Sequence, residues 1–283
     1  MMPHDEKARK LKASVQRIRA VNTIPMIKDK VTEVISREDS SLKDLEAVIR
    51  HDPSLACSIV SQSNSSRYAT GGKRTGISQA LMVMGFNVVR DIVRGIPAFL
   101  DDIMTSEAKS LWTHSFEVAE ASSDIASRAA GVSKDDAFLA GLLHDIGRII
   151  FYQLFREVYW APTANLKNPS ELLAMEEETF GEGHSKVGAW FLGGGLLPER
   201  IALAVENHHC PLKAPRFREL ASTVYFAEYL VAMNSDPSAG MEDGADADLK
   251  RIYELLQIKE TDMVEFMVGV VTRKEKIAMF YGG

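Results

Sequence analysis

Ser41-Leu42-Lys43-Asp44-Leu45-Glu46-Ala47-Val48-Ile49-Arg50-His51-Asp52-Pro53-Ser54-Leu55 is the stretch from which the fold class reads. Leu42, Leu45, Val48 and Ile49 recur at three- and four-residue steps, the spacing of one apolar helix face. Ser41 with Asp44 three positions on has the form of a capping box, because each side chain can reach the other's backbone N–H. Asp52-Pro53 then reads as N-cap and first residue of a second helix, which carries Leu55, Ile59 and Val60.

The same period runs outward in both directions. Asn64 to Gly76 is polar and Gly-rich and reads as a loop; Ile77 to Leu100 returns to helix, broken near Gly85 and Pro97. Lys109 to Ala130 makes a long helical pattern stopping at Gly131, and Ser133 with Asp136 opens the next. Asn168-Pro169 and Pro198 start two more, the second running to His208. No segment alternates with period two, so the expectation is an all-α helical bundle of about a dozen helices or slightly more. Asn234 to Asp248 is rich in Asp, Gly, Ser and Ala and reads as an acidic loop or linker, with helices near Leu249–Ile258 and Asp262–Phe280 behind it.

The 283 residues carry 33 basic and 39 acidic side chains, a formal charge of −6, and 46% of them are hydrophobic. Such a chain has ample apolar surface to fold and no bulk positive charge with which to hold nucleic acid. Two cysteines, Cys57 and Cys210, exclude a disulfide scaffold and suit a reducing compartment. The start lacks the basic-then-apolar order of a secretory signal, and no run approaches the ~18 apolar residues of a membrane span. The expectation is a cytoplasmic protein without a membrane partner. Lys7 to Arg19 is basic around a stripe of Leu11, Val15 and Ile18 and reads as an amphipathic helix packed on the rest. Gly71-Gly72-Lys73-Arg74-Thr75-Gly76 lacks the ending of a phosphate-binding loop and reads as a surface loop.

The chemistry concentrates in His114, His144, His184, His208 and His209. His144 is followed directly by Asp145. An imidazole nitrogen beside a carboxylate oxygen suits a divalent transition metal, with Fe, Mn, Zn, Ni and Co all compatible. On one helix the two side chains diverge by about 100°, so further ligands must come from neighbouring helices: His114 before them and Glu228 after. His184, His208 and His209 could hold a second ion or contact a phosphate, and Arg148 could face that phosphate. A metal there would polarise a phosphoryl oxygen and activate water. The same histidines also fit packed or surface positions, and a bound ion need not turn over a substrate. Cys57 reads as a small core residue, and Cys210 as packed beside Pro211.

Several motifs resemble one family, the HDOD domain (HD-related output domain) of bacterial signalling proteins, over about residues 20–212. Thr23-Ile24-Pro25, the Leu45–Leu55 helix pair with its Asp-Pro, Asn64-Ser65 with Tyr68, Ile77-Ser78-Gln79-Ala80-Leu81 and Met84-Gly85 carry the resemblance in the first half. From Trp112 to Ala232 the chain resembles the HD phosphohydrolase superfamily: His114 matches its first histidine, and His144-Asp145 its name-giving doublet, extended by Ile146-Gly147-Arg148. His184 and His208-His209 match histidines of the related HD-GYP enzymes, and Glu228 stands where Asp is usual. The resemblance implies an N-terminal helical subdomain over 20–104 and an HD-like core over 105–212. A helix over 213–234 completes that core, flanked by a basic helix at 1–19, an acidic loop at 235–248 and C-terminal helices at 249–283. Cys210-Pro211 replaces the acidic residue and Gly-Tyr-Pro segment of HD-GYP enzymes, which argues against their cyclic-dinucleotide phosphodiesterase activity. The implied function is regulatory: binding of another signalling protein or a small phosphorylated ligand, with a retained metal site of one or two ions. On the residues themselves, the acidic stretch and the last two helices could cap the bundle or form a homodimer contact. The alternative is a metal-dependent phosphohydrolase.

Overall fold

Ser41 and Asp44 form the capping box that opens helix α3 (Leu42–Ile49), and Asp52 caps α4 (Pro53–Ser63) by accepting from the Leu55 N–H at 2.7 Å. The protein is seen here in a computed structural model that describes residues 3–68, 72–100, 106–163, 166, 168–194, 197–236 and 245–282. Before these helices come α1 (His4–Val15) and α2 (Pro25–Ser36), and after them α5 (Ile77–Met84) and α6 (Phe86–Gly95). The second half runs α7 (Ser106–Ala126), α8 (Lys134–Leu143), α9 (Ile146–Thr163), α10 (Pro169–Phe180), α11 (His184–Leu192), α12 (Glu199–Glu206), a 3-10 turn at Pro211–Lys213, α13 (Arg218–Ser235), α14 (Ala245–Leu256) and α15 (Asp262–Tyr281). The fold is all-α: among the described residues the only β pairing is an isolated bridge between Thr23 and Ala98.

Gly85 separates α5 from α6 with φ of 76°, a conformation that costs a side chain little only when there is none. The sequence misplaces some helix ends. The long helix α7 stops at Ala126, where the Ser127, Arg128 and Ala129 N–H groups tighten into turns, and not at Ala130. The helix after Pro198 stops at Glu206, which leaves His208 in a turn. The acidic stretch is shorter than its composition suggests, because α13 reaches Ser235 and α14 begins at Ala245; residues 237–244 lie outside the described ones. Gly71 and Gly195 of the two Gly-rich loops lie outside them too. The rest of the first loop is pinned, with the Asn64 side chain bonded to both the N–H and the carbonyl of Arg74. Cys57 is buried as expected, whereas Cys210 is exposed.

In the second half α7 packs along α8 and α13, and α11 packs against α9 and α12. The helical stretch Lys134–Trp160 is long and apolar enough to cross a membrane by length and composition, yet 78% of its most apolar window is buried in this core. Helix α1 buries Leu11 and Val15, and its first turn fits over the C-terminus of α10, where a Cβ on Gly181 would meet the Ala8 nitrogen at 2.6 Å.

Among the polar contacts that tie the halves together, with Arg50–Glu120 and Thr75–Asp136, those of Asp52 are fully buried. Asp52 is fully buried and accepts from the Thr23 hydroxyl and from the Trp112 indole N–H at 2.9 Å, besides capping α4. Burial pushes its carboxyl up to about 6 despite these donors. Asp52→Ala removes a cap and strands two buried donors, so a loss of about 2–4 kcal/mol is expected, measurable by chemical denaturation followed through tryptophan fluorescence.

Next to Asp52, His51 lies between the rings of Phe116 and Phe280, with centroids at 3.9 and 3.7 Å, and its carbonyl accepts from the Tyr281 hydroxyl. Helix α15 is thereby fastened to the start of α4. Burial pushes His51 down to about 4. Its unfolded-state value is higher, so protonating it favours unfolding: stability falls as pH drops below about 6.5, and the loss is complete near 4. The raised carboxyl of Asp52 acts in the opposite sense over the same range. Comparing the wild type with His51→Phe isolates the histidine: the difference in unfolding free energy should change by roughly 2–3 kcal/mol between pH 7 and pH 4. Parallel curves would contradict the assignment.

Candidate metal centre

The doublet His144-Asp145 occupies the two-residue junction between α8 and α9, not the interior of one helix as the sequence suggested. Both residues are buried, and His144 Nε2 lies 3.7 Å from Asp145 Oδ2. Two glycines permit their neighbours to approach. A Cβ on Gly141 would meet the backbone of α7 at 2.9 Å, and one on Gly147 would meet the His184 carbonyl oxygen at 1.9 Å. Helix α7, which carries His114, and helix α11, which begins with His184, therefore close on the doublet from two sides.

All seven residues proposed as ligands come together. His114, His144 and Asp145 form one group, His144, His208 and Glu228 a second, and His184, His208 and His209 a third; within each, the donor atoms lie within 4.8 Å of one another. Shared His144 and His208 fuse the three groups into one centre drawn from α7, the α8–α9 junction, α11, the turn after α12, and α13. Cys210, the soft donor next in sequence, is not part of it.

The backbone sets which nitrogen each ring offers. His144 Nδ1 is 2.7 Å from the Gly141 carbonyl, and His208 Nδ1 is 2.7 Å from the Val205 carbonyl. A carbonyl only accepts, so both Nδ1 atoms carry hydrogen and both Nε2 atoms expose a lone pair. Those Nε2 atoms are buried and have no hydrogen-bond partner. Burial pushes His144 down to about 4 and His208 to about 3, and lowers His114 and His209 as well, so these rings are neutral near pH 7. Buried lone pairs on neutral imidazoles beside carboxylates fit a divalent transition ion, which would supply the missing partner for each.

The carboxylates are tuned apart. Burial works against ionising Asp145, but the charge of Arg148 and the surrounding imidazoles hold it well below the usual carboxylate range. Glu228 is pushed up to about 8, first by burial and then by the nearby charge of Asp145. Arg148 donates from Nη1 to Asp145 Oδ2 at 2.9 Å, so its guanidinium is committed to the centre's own carboxylate.

Two residues that sequence reading passed over complete the arrangement. Glu176 is fully buried on α10, and its Oε2 accepts from both the backbone N–H and the Nδ1–H of His184 at 2.7 Å. Its Oε1 accepts from the Tyr159 hydroxyl at 2.7 Å. Burial, the largest single influence, lowers His184, but the Glu176 charge, the hydrogen bond to Glu176 and the Asp145 charge together outweigh it and raise the ring's affinity for a proton. His184 Nε2 in turn lies 3.2 Å from Asp145 Oδ1 and 2.9 Å from His209 Nε2. The clue was present in the spacing: Leu172, Glu176 and Phe180 fall at four-residue steps on one buried face, and a carboxylate on an apolar stripe needs a partner.

A carboxylate behind a metal-ligating histidine fixes its orientation and raises its basicity. Glu176→Gln is accordingly expected to weaken metal affinity by about 10- to 100-fold while leaving the helical content intact. Competition with a chromogenic chelator, alongside circular dichroism, checks both parts.

The profile of the HDOD domain matches residues 21–211. An uncharacterized protein of Treponema pallidum (strain Nichols) is 27% identical over 230 residues, which cover 75% of this chain and 42% of that protein. The chain thus spans less than half the length of this curated relative. Among solved structures, the MmoQ response regulator of Methylococcus capsulatus superposes with a TM-score of 0.70 at 19% identity, covering 88% of this chain and 98% of that one. A Shewanella amazonensis protein named provisionally as a phosphohydrolase gives a TM-score of 0.52 at 21% identity, covering 96% and 97%. At these identities the two structures share the fold with this chain.

Proposed function

Because the chain belongs to the HDOD domain family, we propose that it is a regulatory signalling module whose buried histidine–carboxylate centre holds one or two divalent transition ions, and that it acts by binding another protein. The observation that carries the metal reading is the pair of buried, partnerless Nε2 atoms on His144 and His208, within 4.8 Å of carboxylate and imidazole donors. His144, Asp145 and His114 would hold one ion; His184, His208 and His209 a second; Glu228 lies beside His144 and His208, which both sets approach. A bound ion would supply Lewis acidity and activate a coordinated water.

Three features favour binding over turnover. The clefts of about 370 and 420 Å³ are lined by none of the seven residues. Arg148 gives one guanidinium nitrogen, Nη1, to Asp145. Cys210-Pro211, with Cys210 exposed and Pro211 buried, follows the His-His pair in place of the Gly-Tyr-Pro segment. Against these, the full set of imidazoles and carboxylates favours a second reading, a metal-dependent phosphohydrolase acting on a nucleotide or other phosphoester.

Elemental mass spectrometry on the wild type and on a His144→Ala, Asp145→Ala double variant is the decisive test. Near-stoichiometric metal in the wild type, lost in the variant, is the expected result. Metal absent from both after loading with Mn, Fe and Zn overturns the metal reading. With the loaded protein, hydrolysis of phosphoesters or cyclic nucleotides that disappears in the double variant would replace the regulatory reading by the enzymatic one.

A further inference from the structure

The cleft of about 370 Å³ between the two halves is lined by none of the seven candidate metal ligands, so its chemistry is its own. Its size is that of a small-molecule site. Ile18, Ile92, Ile96, Phe191 and Leu192 make an apolar wall in which one ring stands among four aliphatic side chains. Helix α4 adds the polar groups Ser58, Ser61 and Gln62. Arg19 carries the one charge among the described lining residues, and no carboxylate lines the cleft with it.

The polar groups are not spent on one another. Ser61 Oγ lies 4.0 Å from Cys57 Sγ, a weak contact within α4. Among the described residues nothing pairs with the Arg19 guanidinium, the Ser58 hydroxyl or the Gln62 side-chain amide. All three can donate, and the planar guanidinium matches the two oxygens of a carboxylate. The C-terminal end of α6 borders the cleft at Gly95 and Ile96, and its free carbonyls would repel an anion. Lys28 removes that objection: its Nζ donates to the carbonyls of Val93, Arg94 and Ile96.

A single unpaired cation at the edge of an aliphatic wall suits an amphiphile with one negative charge. A flat ring system would call for a second aromatic surface, and Phe191 alone supplies one. The volume equals that of about a dozen waters, which limits an alkyl chain to on the order of ten carbons. We propose that this cleft binds an aliphatic monocarboxylate of medium chain length. The tail lies between α4, α6 and the last turn of α11, and the carboxylate accepts from Arg19, with Ser58 and Gln62 as further donors.

Isothermal titration of the full chain with hexanoate, octanoate and octan-1-ol tests this. Saturable octanoate binding is expected, tighter than hexanoate by about two- to fourfold for each methylene added. It should also be tighter than the alcohol by about three- to tenfold, because the acid alone forms a charge-assisted pair. Arg19→Gln should remove the difference between acid and alcohol. Gly95→Leu should weaken both ligands by at least about tenfold by filling the cleft. A Cβ on Gly95 would meet nothing within 4 Å, and Arg19 is exposed, so both variants keep the fold, which circular dichroism checks. No saturable binding of octanoate up to about 5 mM overturns the proposal. Binding indifferent to Gly95→Leu places the ligand elsewhere and overturns the site. Equal affinity for acid and alcohol in the wild type, or an acid preference that survives Arg19→Gln, overturns the carboxylate assignment.

Discussion

A carboxylate removed from water has to be compensated where it sits, and Asp145 imposes that requirement on half the molecule. Its oxygens receive Arg148 from α9 and face His184 from α11 and His144 from the preceding residue, so the junction of α8 and α9 cannot move without separating unlike charges. The next layer follows the same demand. His184 is oriented by Glu176, and Glu176 by Tyr159, giving a buried chain of alternating donors and acceptors from α9 through α10 to α11. Glycines at 141 and 147 meet the steric side of the requirement, since any side chain there would hold the neighbouring helices away from the charge.

Much of this was legible in the sequence, for identifiable reasons. Helix starts were readable because their chemistry is local: Ser41 with Asp44, Asp52 before Pro53, Ser133 with Asp136 and Asn168 before Pro169 each cap the helix they were expected to cap. Helix ends were less so. The C-terminus of α7 at Ala126 and of α12 at Glu206 depends on tertiary turns, not on a stop residue. For the candidate metal centre the donor residues could be named, since imidazoles and carboxylates are few, and so could a division into His114, His144, Asp145 and Glu228 beside His184, His208 and His209. That Glu228 groups with His208 as well as with His144 follows from how closely α7, α11 and α13 approach the doublet. Glu176 escaped because a glutamate among Met175, Glu177 and Glu178 looks like part of a solvated acidic face until the helical phase is drawn.

The two halves of the chain are joined by polar chemistry as well as by apolar packing. Asp52, at the start of α4, reaches Thr23 ahead of α2 and Trp112 on α7, while α15 returns from the far end of the chain to cover His51 beside it. The N-terminal bundle is thus fastened to α7 at Trp112, two residues before His114. Its other border with the second half is open: residues 18–20, α4, α6 and the end of α11 enclose the cleft of about 370 Å³.

Helix α11 belongs to both places. Its first residue, His184, sits in the candidate metal centre, and its last turn contributes Phe191 and Leu192 to that cleft. Nine helical residues span about 13 Å and do not compress, and the contact of Gly147 with the His184 carbonyl leaves no slack at the inner end. Seen mechanically, one rigid rod has an imidazole at one end and a phenylalanine and a leucine at the other, so a shift of α11 along its own axis would be felt at both.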